Sequence, residues 1–494
     1  MIPARELLEN SRKNSTRTAL VFGSNQITYG ELLDKVRGVV GSLNLMVQPG
    51  DRVALLCTNS YQYIWVSLAI ELAGAIRVPI NIKVSQNEIS KIIADCTPSM
   101  VLYEQATRHL VPGTCAARLV DVMDIAPTHE NDMRFLNRLD RLNPEDICSI
   151  NYTSGSTGNS KGVALSHRNW SFVYLNMLID RDIDRDDHLA FIGPLTHAAW
   201  SYLFAGLLTG ATNIVFAGGD TDSMLAYSRT NPITIVTCVP TTLMRIVEAT
   251  NKNDPLARTL KWIGIGAAPV TQAQLDRAAE VFGNRIVINY GQTEAMMTCT
   301  YMDFRKNDKK YMHADYVGRP YTFAHIKIIG ENGRPVQRGE VGEIYLRGSH
   351  TMAGYWNQPE ITRETICAGY VASGDLGLEE EPGLFRLVGR IKDMIISGGF
   401  NIYPSEVETV VASYPGVDEV AVVGKTCETW GEKVVCFYSQ RTGETVDEDL
   451  LKAYCKEQLQ FKAPKEFHRL ALIPKSPTGK IDKKVIRQME VAAT

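Results

Sequence analysis

Short apolar segments with the length of buried strands alternate with helix-like segments from the first hundred residues onward. Such alternation favours a parallel sheet with covering helices, because parallel strands need a crossover connection. Two predicted helix starts carry the spacing of a capping box, Thr28 with Glu31 and Ser85 with Glu88. The strand-like segments are 52–57, 76–79 and 100–103, with helices starting at Tyr61 and Ser85 between them.

The alternation resumes after a polar stretch near residues 127–132 and predicts a second wound sheet. Its predicted strands are 147–152, 214–216, 235–238, 262–266 and 286–290. Between residues 324 and 347 the pattern changes to short alternating strands around Asn332-Gly333, which is a hairpin signal. We therefore expect a small β module after the second sheet.

The pattern of strand-like and helix-like segments changes for the last time at Gly389-Arg390-Ile391-Lys392-Asp393. The residues that follow mix strand-like and helix-like segments in a compact pattern. We therefore predict an α/β protein of two domains. Residues 1–389 would hold two wound sheets, their covering helices and the β module, and residues 390–494 a small, mobile α+β domain.

The composition is that of an ordinary globular protein, with 45% hydrophobic residues, 22% charged residues and a formal net charge of −3. This charge provides no basic field, so nucleic acid is disfavoured as a partner. The ten cysteines include no C-x-x-C pair, which excludes the usual zinc spacings. The most apolar stretch, 64–80, is interrupted by Glu71 and Arg77, and the first residues carry acids where a signal peptide needs an apolar run. We therefore expect a cytoplasmic protein without a membrane span.

The sharpest local motif directly follows the predicted strand 147–152. It reads Tyr152-Thr153-Ser154-Gly155-Ser156-Thr157-Gly158-Asn159-Ser160-Lys161-Gly162. Glycines let backbone amides turn toward an anion, hydroxyls add donors, and lysine supplies a compact charge, so the motif predicts a phosphate-binding loop. It is not a Walker A loop, because Ser160 stands where that motif has its second glycine and Gly162 follows Lys161. A flexible Ser/Gly hairpin or linker is the alternative interpretation.

Five further blocks follow in order and, with this loop, span most of the chain. They are Gly266-Ala267-Ala268-Pro269, Tyr290-Gly291-Gln292-Thr293-Glu294, Ser373-Gly374-Asp375, Gly389-Arg390-Ile391-Lys392-Asp393 and Pro477-Thr478-Gly479-Lys480. In this combination the sequence strongly resembles the superfamily of adenylate-forming enzymes, which comprises acyl- and aryl-CoA synthetases, peptide-synthetase adenylation domains and luciferases. Residues 290–296, 393–406 and 428–431 are most similar to bacterial benzoate-type aryl-CoA ligases. The resemblance implies an ATP-dependent carboxylic acid:CoA ligase that works through an acyl-adenylate and uses ATP, Mg²⁺ and coenzyme A.

For the nucleotide, the resemblance assigns residues to base, ribose and metal. Tyr290 would lie against adenine, Glu294 would bind Mg²⁺ together with Thr153, and Asp375 would accept hydrogen bonds from both ribose hydroxyls. Arg390 would approach the same ribose or a phosphate. The rest of the implied nucleotide site is Ser154, Gly155, Ser156, Thr157, Gly158, Lys161, Gly266, Ala267, Ala268, Pro269, Gly291, Gln292 and Thr293. Taken singly, these residues could equally belong to ordinary turns or solvated surfaces.

The resemblance also makes Lys480 the catalytic lysine, alongside Glu294 and Lys161. A substrate carboxylate must attack an anionic α-phosphate, and a cation between them offsets the repulsion and stabilises developing charge. Lys392 occupies the position of the family's hinge, about which the small domain would swing between two half-reactions. The alternatives are that Lys480 is one more lysine of the tail and that the linker is rigid.

The block 194–200 resembles the part of the family that lines the acyl pocket. His197 would pack against the acid and orient it rather than transfer protons. Ala198, Ala199, Gly291 and Met296 would leave a mostly apolar slot, to which Asn289 could add a polar contact. Together with the benzoate-type similarity, this favours an aromatic acid.

For the acceptor, Gly398 and Gly399 would let a thin pantetheine arm pass near the backbone, with Trp430 packed against it. Benzoate-type ligases commonly carry Arg where this chain has Ala463, which weakens the case for free CoA. A carrier-protein thiol or an amine therefore stays open as the acceptor, as does a homodimer. A nucleotide-binding sensor that has lost turnover is the alternative from another class.

Overall fold

The computed structural model of the chain describes residues 2–128, 135, 139–153, 160–307, 309–476 and 480–489. The described strands are β1 (Thr18–Phe22), β2 (Asn25–Thr28), β3 (Arg52–Leu56), β4 (Ile76–Pro79), β5 (Met100–Tyr103), β6 (Arg118–Asp121), β7 (Ile147–Thr153), β8 (Lys161–Ser166), β9 (His188–Phe191), β10 (Thr212–Val215), β11 (Ile235–Cys238), β12 (Trp262–Ile265), β13 (Ile286–Gln292), β14 (Ala295–Asp303), β15 (Tyr316–Pro320), β16 (His325–Ile329), β17 (Gly342–Arg347), β18 (Gly354–Tyr355), β19 (Ile366–Cys367), β20 (Tyr370–Glu381), β21 (Leu384–Arg390), β22 (Ile395–Ser397), β23 (Phe400–Ile402), β24 (Val417–Cys427), β25 (Gly431–Gln440) and β26 (Glu466–Arg469). The described α-helices are α1 (Pro3–Lys13), α2 (Tyr29–Leu43), α3 (Tyr61–Leu72), α4 (Gln86–Cys96), α5 (His167–Asp180), α6 (Ala198–Thr209), α7 (Thr221–Ser228), α8 (Pro240–Ala249), α9 (Pro255–Thr259), α10 (Gln272–Phe282), α11 (Pro359–Thr365), α12 (Pro404–Ala412), α13 (Glu448–Leu459) and α14 (Lys483–Gln488).

A first sheet has the strand order β18-β8-β7-β4-β3-β5-β6. Its strands from β7 to β6 run parallel, as the alternating pattern predicts, and β8 runs antiparallel to β7. The assignment of the predicted strand 147–152 to the second sheet is wrong, because Ser149 of β7 pairs with Arg77 of β4. Local periodicity identifies a strand but does not say which sheet it joins.

The second sheet has the order β2-β1-β10-β9-β11-β12-β13-β14-β15-β21-β20-β17-β16, with β19 beside β20. Its strands are parallel from β1 to β13 and antiparallel from β13 onward. The predicted β module, residues 324–347, is formed by β16 and β17, and it continues an antiparallel part of the sheet that also holds β15, β20 and β21. It is not a separate sheet, because Thr300 of β14 pairs with Pro320 of β15 and joins the two parts.

The predicted hairpin is formed by β16 and β17, which pair antiparallel. Its connection is longer than a two-residue turn, since residues 330–341 link the strands. Within it, Gly330 N donates to Arg334 O at 2.9 Å, and Gly333 has a φ of 72°, a conformation that glycine adopts without strain. The Asn-Gly pair therefore marks a turn inside the connection rather than the reversal of the chain.

A third sheet, β23-β22-β25-β24 with β26 parallel to β25, is built from the last hundred residues or so of the chain. Helices α12 and α13 cover one face, where Val407 and Leu451 join a buried apolar cluster. Helix α14 covers the other face through Ile486. The predicted α/β fold, with a large N-terminal part and a smaller C-terminal part, is thereby confirmed.

The two predicted capping boxes turn out differently. At the start of α2, Thr28 accepts from the amide of Glu31 and the Glu31 carboxylate accepts from the amide of Thr28, so this box is confirmed. At the start of α4, Ser85 accepts from the amide of Glu88, but the Glu88 carboxylate accepts from the hydroxyl of Ser160 instead. Only half of the second box is formed, because its carboxylate is used for a long-range contact.

The main core lies between the two large sheets and contains aromatic side chains of α5 and α6, such as Tyr174 and Phe204, whose rings stack 4.3 Å apart. Glu71 and Arg77, the two charged residues that interrupt the apolar stretch 64–80, form a buried ion pair. Arg77 Nε lies 3.0 Å from Glu71 Oε1. No described helix is both long and apolar enough to cross a membrane. The stretch 64–80 is instead divided between α3 and β4, as predicted.

Replacing His350 by glutamine is expected to reduce the loss of stability on acidification. This histidine is 1% exposed, and burial, with a smaller effect of His325, lowers its pKa from 6.5 to about 4. Below pH 6.5 the unfolded chain therefore binds a proton that the folded chain does not, so the free energy of unfolding falls as the pH decreases toward 4. From pH 7 to pH 5 this one histidine should account for about 2 kcal/mol of the fall, as measured by urea unfolding.

The exposed His109 provides the control for this experiment. Its replacement by glutamine should leave the fall between pH 7 and pH 5 as in the unmodified protein. The explanation from burial would be wrong if the His350→Gln and His109→Gln variants lost equal stability over this range.

Candidate active site

Tyr290, Asp375 and Arg390 form a connected group where β13 approaches the neighbouring strands β20 and β21. The hydroxyl of Tyr290 donates to Asp375 Oδ2 at 2.8 Å, and Arg390 Nε lies 2.9 Å from Asp375 Oδ1. Asp375 and Arg390 face each other across the β20–β21 ladder, so the sheet itself holds the ion pair in place. The structure thus brings together three residues that the sequence placed in separate blocks.

The carboxylate of Asp375 is only 3% exposed and lies among cations. Burial raises its pKa, while Arg390, the hydrogen bond from Tyr290 and the charges of Lys480 and Lys392 lower it. An ionised carboxylate offers about four acceptor sites. With one oxygen bonded to Tyr290 and the other to Arg390, acceptor capacity remains for a pair of ligand hydroxyls.

Lys480 lies in the same site, although it is separated from Asp375 by most of the C-terminal part of the chain. Its side chain keeps access to solvent, yet protein atoms surround its ammonium group, as in an open cleft. This burial lowers the pKa of Lys480, and the positive charges of Arg390 and Lys392 lower it further, whereas Asp375 and Glu294 act in the opposite direction. The preceding residues Pro477, Thr478 and Gly479 of its block lie outside the described residues.

Glu294 is held by Tyr355, a residue that the sequence analysis missed. The hydroxyl of Tyr355 donates to Glu294 Oε1 at 2.9 Å, and Lys161 Nζ lies 5.0 Å from the centre of the Tyr355 ring. Tyr355 reaches this place because β18 pairs with β8, opposite Val163. No local signal in the sequence marks Tyr355, since its neighbours come from pairing between distant segments.

The structure describes both flanks of the predicted phosphate loop. The loop residues Ser154, Gly155, Ser156, Thr157 and Gly158 lie outside the described residues. Thr153 and Lys161 are partners across the β7–β8 ladder. The preceding Tyr152 donates its hydroxyl to Asp95, and the hydroxyl of Ser160 donates to Glu88. Both contacts tie the flanks of the loop to helix α4.

His197 stands immediately before α6, at the mouth of the predicted acyl slot. Its Nε2 lies 3.3 Å from the carbonyl oxygen of Tyr152, and its Nδ1 lies 2.8 Å from the hydroxyl of Thr196. Burial lowers the pKa of His197, and the charges of Lys480 and Arg77 lower it further, while the hydrogen bond to Tyr152 opposes them. Both ring nitrogens are therefore occupied in a neutral imidazole, which suits orientation rather than proton transfer.

The other slot residues surround the start of α6 and the turn after β13. Ala198 and Ala199 are partly exposed at the first turn of α6, and Met296 is buried. A Cβ atom at Gly291 would lie 2.8 Å from the backbone of Met297, so a larger residue could not be placed there without displacing that strand. These four residues are apolar or lack a side chain, and that they form an acyl slot stays a prediction.

Asn289 is not free to offer the polar contact that we expected. Its Oδ1 accepts from the hydroxyl of Tyr321 at 3.2 Å, and its Nδ2 donates to the carbonyl oxygen of Ile265 at 3.4 Å. The side chain is 7% exposed. Asn289 therefore connects the slot to a group of polar and aromatic side chains behind it.

The remaining nucleotide residues follow the ends of β12 and β13. Gly266, Ala267, Ala268 and Pro269 lie partly or fully exposed after β12, with Ala267 in a left-handed conformation at φ 65°. In the turn Gln292-Thr293, the Nε2 atom of Gln292 is buried and has no partner among the described residues. An orphaned donor at this position suits an anionic or acceptor-bearing ligand.

The predicted acceptor residues lie on the third sheet. Gly398 N donates to Trp430 O at 2.9 Å, and Gly398 and Gly399 have φ values of 59° and 85°, which favour glycine. Lys465 Nζ lies 5.4 Å from the centre of the Trp430 ring. Trp430 itself is 43% exposed. The three predicted residues thus form one exposed surface with a cation beside it.

The charges of the site fit a nucleotide triphosphate with a divalent cation. Beyond the effect of burial, the positive charge of Arg390 lowers the pKa of Lys392, and the charges of Arg390 and Lys392 lower the pKa of Lys480. The carboxylates of Asp375 and Glu294 supply negative charge in the same place. In the part of the chain that the structure describes, no three His, Cys, Asp or Glu side chains are arranged to hold a metal ion alone. A Mg²⁺ ion at Glu294 would therefore complete its coordination with phosphate oxygens and water, which is its usual preference.

Comparison with known proteins gives matches over nearly the whole chain. The model of the AMP-binding enzyme family matches residues 7–356, and that of the AMP-binding enzyme C-terminal domain matches residues 406–480. Feruloyl-CoA synthase from Amycolatopsis sp is 33% identical over 489 residues, which cover 97% of each protein.

Two solved structures show the same fold. ATP-bound MatB from Rhodopseudomonas palustris has a TM-score of 0.88 at 26% identity, with 98% of each chain covered. The amide bond synthetase McbA from Marinactinospora thermotolerans has a TM-score of 0.87 at 25% identity, also with 98% of each chain covered.

Proposed function

Because this chain belongs to the AMP-binding enzyme family, we propose that it is an ATP-dependent carboxylic acid:CoA ligase that forms an acyl-adenylate and then a thioester. The observation that supports the proposal is that the charge of Lys480 interacts with the carboxylates of Asp375 and Glu294, which come from two other blocks of the sequence. A nucleotide-binding sensor would need the ribose and base contacts but not a lysine brought in from the end of the chain. The resemblance to adenylate-forming enzymes, stated above on six sequence blocks, is confirmed by the family matches.

In the first half-reaction, a carboxylate oxygen of the acid attacks the α-phosphorus of ATP. The bond from that phosphorus to the bridging oxygen of pyrophosphate breaks, and pyrophosphate leaves with the electron pair. We assign to Lys480 the stabilisation of the negative charge that develops at the α-phosphate, and to Lys161 a contact with the departing phosphates. Mg²⁺, held by Glu294 and Thr153, would neutralise part of the triphosphate charge.

Asp375, Arg390 and Tyr290 position the nucleotide in this scheme. The Tyr290–Asp375 hydrogen bond fixes the tyrosine ring beside the carboxylate, so a base against the ring and a ribose on the carboxylate can bind together. Tyr355 is a positioning residue, because it touches Glu294 and lies under Lys161 without being one of the charged groups. The residues of Gly266-Ala267-Ala268-Pro269 would let the flat base approach the backbone.

In the second half-reaction, the thiol of CoA gives its proton to water and its sulfur attacks the acyl carbon. The bond from that carbon to the phosphate oxygen breaks, and AMP leaves. We propose residues 390–494 as a mobile domain that turns about Lys392 between the two steps. Lys480 would then move away, and the surface of Gly398, Gly399 and Trp430 would approach the adenylate.

The acid that we propose is aromatic. The residues that we propose to line the slot beside His197, namely Ala198, Ala199 and Met296, are apolar, and a relative with 33% identity is a feruloyl-CoA synthase. CoA is preferred as the acceptor, because Gly398 and Trp430 form an exposed surface next to Lys465 that suits a pantetheine arm and a phosphate. An amine is the second candidate, since the fold neighbour McbA is an amide bond synthetase. Cytoplasmic location, a separate carrier protein and a homodimer stay predictions.

Carboxylate-dependent exchange of pyrophosphate into ATP tests the first half of this proposal. The purified chain, Mg²⁺ and ATP should give exchange with at least one acid from a panel of benzoates, cinnamates, arylacetates and aliphatic acids. CoA should then release AMP and form a thioester with the same acid, whereas simple amines should not. Absence of exchange with every acid would rule out the ligase, and AMP release only with amines would favour the second candidate.

A further inference from the structure

Arg181 is fully buried at the end of α5, and no residue that the structure describes forms an ion pair with it. Its Nε, Nη1 and Nη2 atoms have no hydrogen-bond partner among the described residues. The other fully buried arginine of the core, Arg77, differs in having the carboxylate of Glu71 at 3.0 Å. A buried charge without an ionic partner is costly to maintain, so Arg181 calls for an explanation.

Aromatic rings pack against the guanidinium. Its central carbon lies 4.4 Å from the centre of the Trp262 ring and 5.3 Å from that of Tyr301. Such rings stabilise the cation through its faces but leave the N–H groups at its edge unused. The buried carboxylate that acts on Arg181, that of Asp303, is occupied by Arg305, whose Nε lies 2.9 Å from Asp303 Oδ1.

Further hydrogen-bond donors lie beside Arg181. The indole Nε1 of Trp262 and the hydroxyl of Tyr202 are buried and make no hydrogen bond of acceptable geometry with the described residues. Burial alone lowers the pKa of Arg181, but the phenol oxygens of Tyr321 and Tyr202 and the carboxylate of Asp303 raise it above its ordinary value, so the group stays cationic. The phenol oxygens of Tyr202 and Tyr321 lie near the guanidinium, but Arg181, Tyr202 and Trp262 together carry more donors than these two oxygens can accept. We call Arg181, Tyr202 and Trp262 the donor cluster.

The donor cluster lies directly behind the acyl slot. Tyr202 follows Ala198 by one turn of α6, so both side chains lie on the same face of that helix. Tyr301 is the partner of Asn289 across the β13–β14 ladder. A Cβ atom at Gly264 would lie 3.1 Å from the Trp262 ring and 3.2 Å from Asn289 Nδ2, so these two side chains share one wall.

We propose that the acid carries a second carboxylate at the end opposite to the one that is activated, and that the donor cluster binds it. This inference rests on the proposed function and adds the substrate class to it. A carboxylate matches the cluster in charge and in hydrogen bonding, because guanidinium groups bind carboxylates through two parallel N–H donors. The apolar slot then spans the middle of the molecule and Arg181 recognises its far end.

Matched pairs of acids provide the test on the full chain. Terephthalate is compared with 4-methylbenzoate, and 4-carboxycinnamate with 4-methylcinnamate, in pyrophosphate exchange. We expect kcat/KM to be higher for the dicarboxylate of at least one pair by about 10²-fold or more, since a site built to bind a polar group rejects the analogue that lacks it. Preference for the methyl compounds, or equal rates within both pairs, would overturn the inference while leaving the ligase function standing.

Variants of the donor cluster then test whether Arg181 recognises the second carboxylate or only supports the fold. Arg181→Met should abolish the preference for the dicarboxylate and raise its KM, while the methyl compound keeps its rate within about tenfold. Tyr202→Phe, which retains the ring, should reduce the same preference by about tenfold, and it carries the test if Arg181→Met does not fold. Arg77→Met is the matched control: it removes a buried arginine of the same core and should leave the ratio of the two acids unchanged.

The outcomes distinguish the two levels of the proposal. Equal losses on both acids in Arg181→Met would make Arg181 a structural residue only. No exchange with any acid would overturn the ligase function and this inference together, whereas exchange confined to acids without a second carboxylate would overturn only the inference.

Discussion

Replacing Lys480 by alanine is expected to lower the rate of adenylate formation by about 10³-fold. The carboxylate of the acid and the α-phosphate of ATP repel each other, and Lys480 is the residue that reaches Asp375 and Glu294 from the C-terminal part of the chain. Thioester formation from a supplied acyl-adenylate should continue within about tenfold of the original rate, because the phosphate is no longer under attack. Pyrophosphate exchange and thioester formation measure the two steps separately.

Lys484 provides the matched control, since it is an exposed lysine four residues further along the chain. Lys484→Ala should leave both half-reactions unchanged. A comparable loss of both half-reactions in Lys480→Ala would show that the residue supports the fold or the binding of AMP in general, and the assigned role would be wrong.

The second large effect is expected from Lys392→Pro. Lys392 lies in a single helical turn, Ile391–Asp393, between the last strand of the second sheet and the first strand of the third. Proline holds φ near −65°, so the chain could keep one arrangement but not turn to another. Adenylate formation should then be retained within about tenfold, while thioester formation falls by more than that.

Lys392→Ala separates the backbone from the charge. Lys392 contributes a positive charge that Asp375 and Lys480 both experience, so its removal alone could alter adenylation. Alanine removes the charge but leaves the backbone free to rotate, and it should spare thioester formation. If Lys392→Pro forms the thioester as fast as Lys392→Ala does, this position is not the hinge.

An ion pair joins the C-terminal helix α14 to the linker beside Lys392. Arg487 of α14 lies 2.6 Å from Asp393, next to the proposed pivot. Arg487 is a partly exposed residue of the third sheet's covering helix, and its pair with Asp393 is one that a rotation about Lys392 would strain or break. Surface pairs of this kind contribute little to stability, so the contact does not oppose such a motion strongly.

Much of the site could be predicted because its residues belong to short motifs. The blocks around Tyr290, Asp375 and Lys480 each occupy a few consecutive residues after a strand or in a turn, and the structure brings all three together. Asn289 was predicted to offer a polar contact in the slot, and the structure shows that its Oδ1 also accepts from the hydroxyl of Tyr321. Its partner comes from a loop after β15, which no motif connects to the slot.

The sequence by itself determined which segments become strands and helices and where the chain turns. These properties depend on neighbours a few positions away, through side-chain periodicity, helix capping and turn geometry. The tertiary structure alone decided that β7 joins the first sheet, that Tyr355 holds Glu294, and that Arg181 lies buried without a hydrogen-bond partner among the described residues. Those outcomes depend on pairing and packing between segments far apart in the chain. Local sequence patterns do not predict which distant segments become partners.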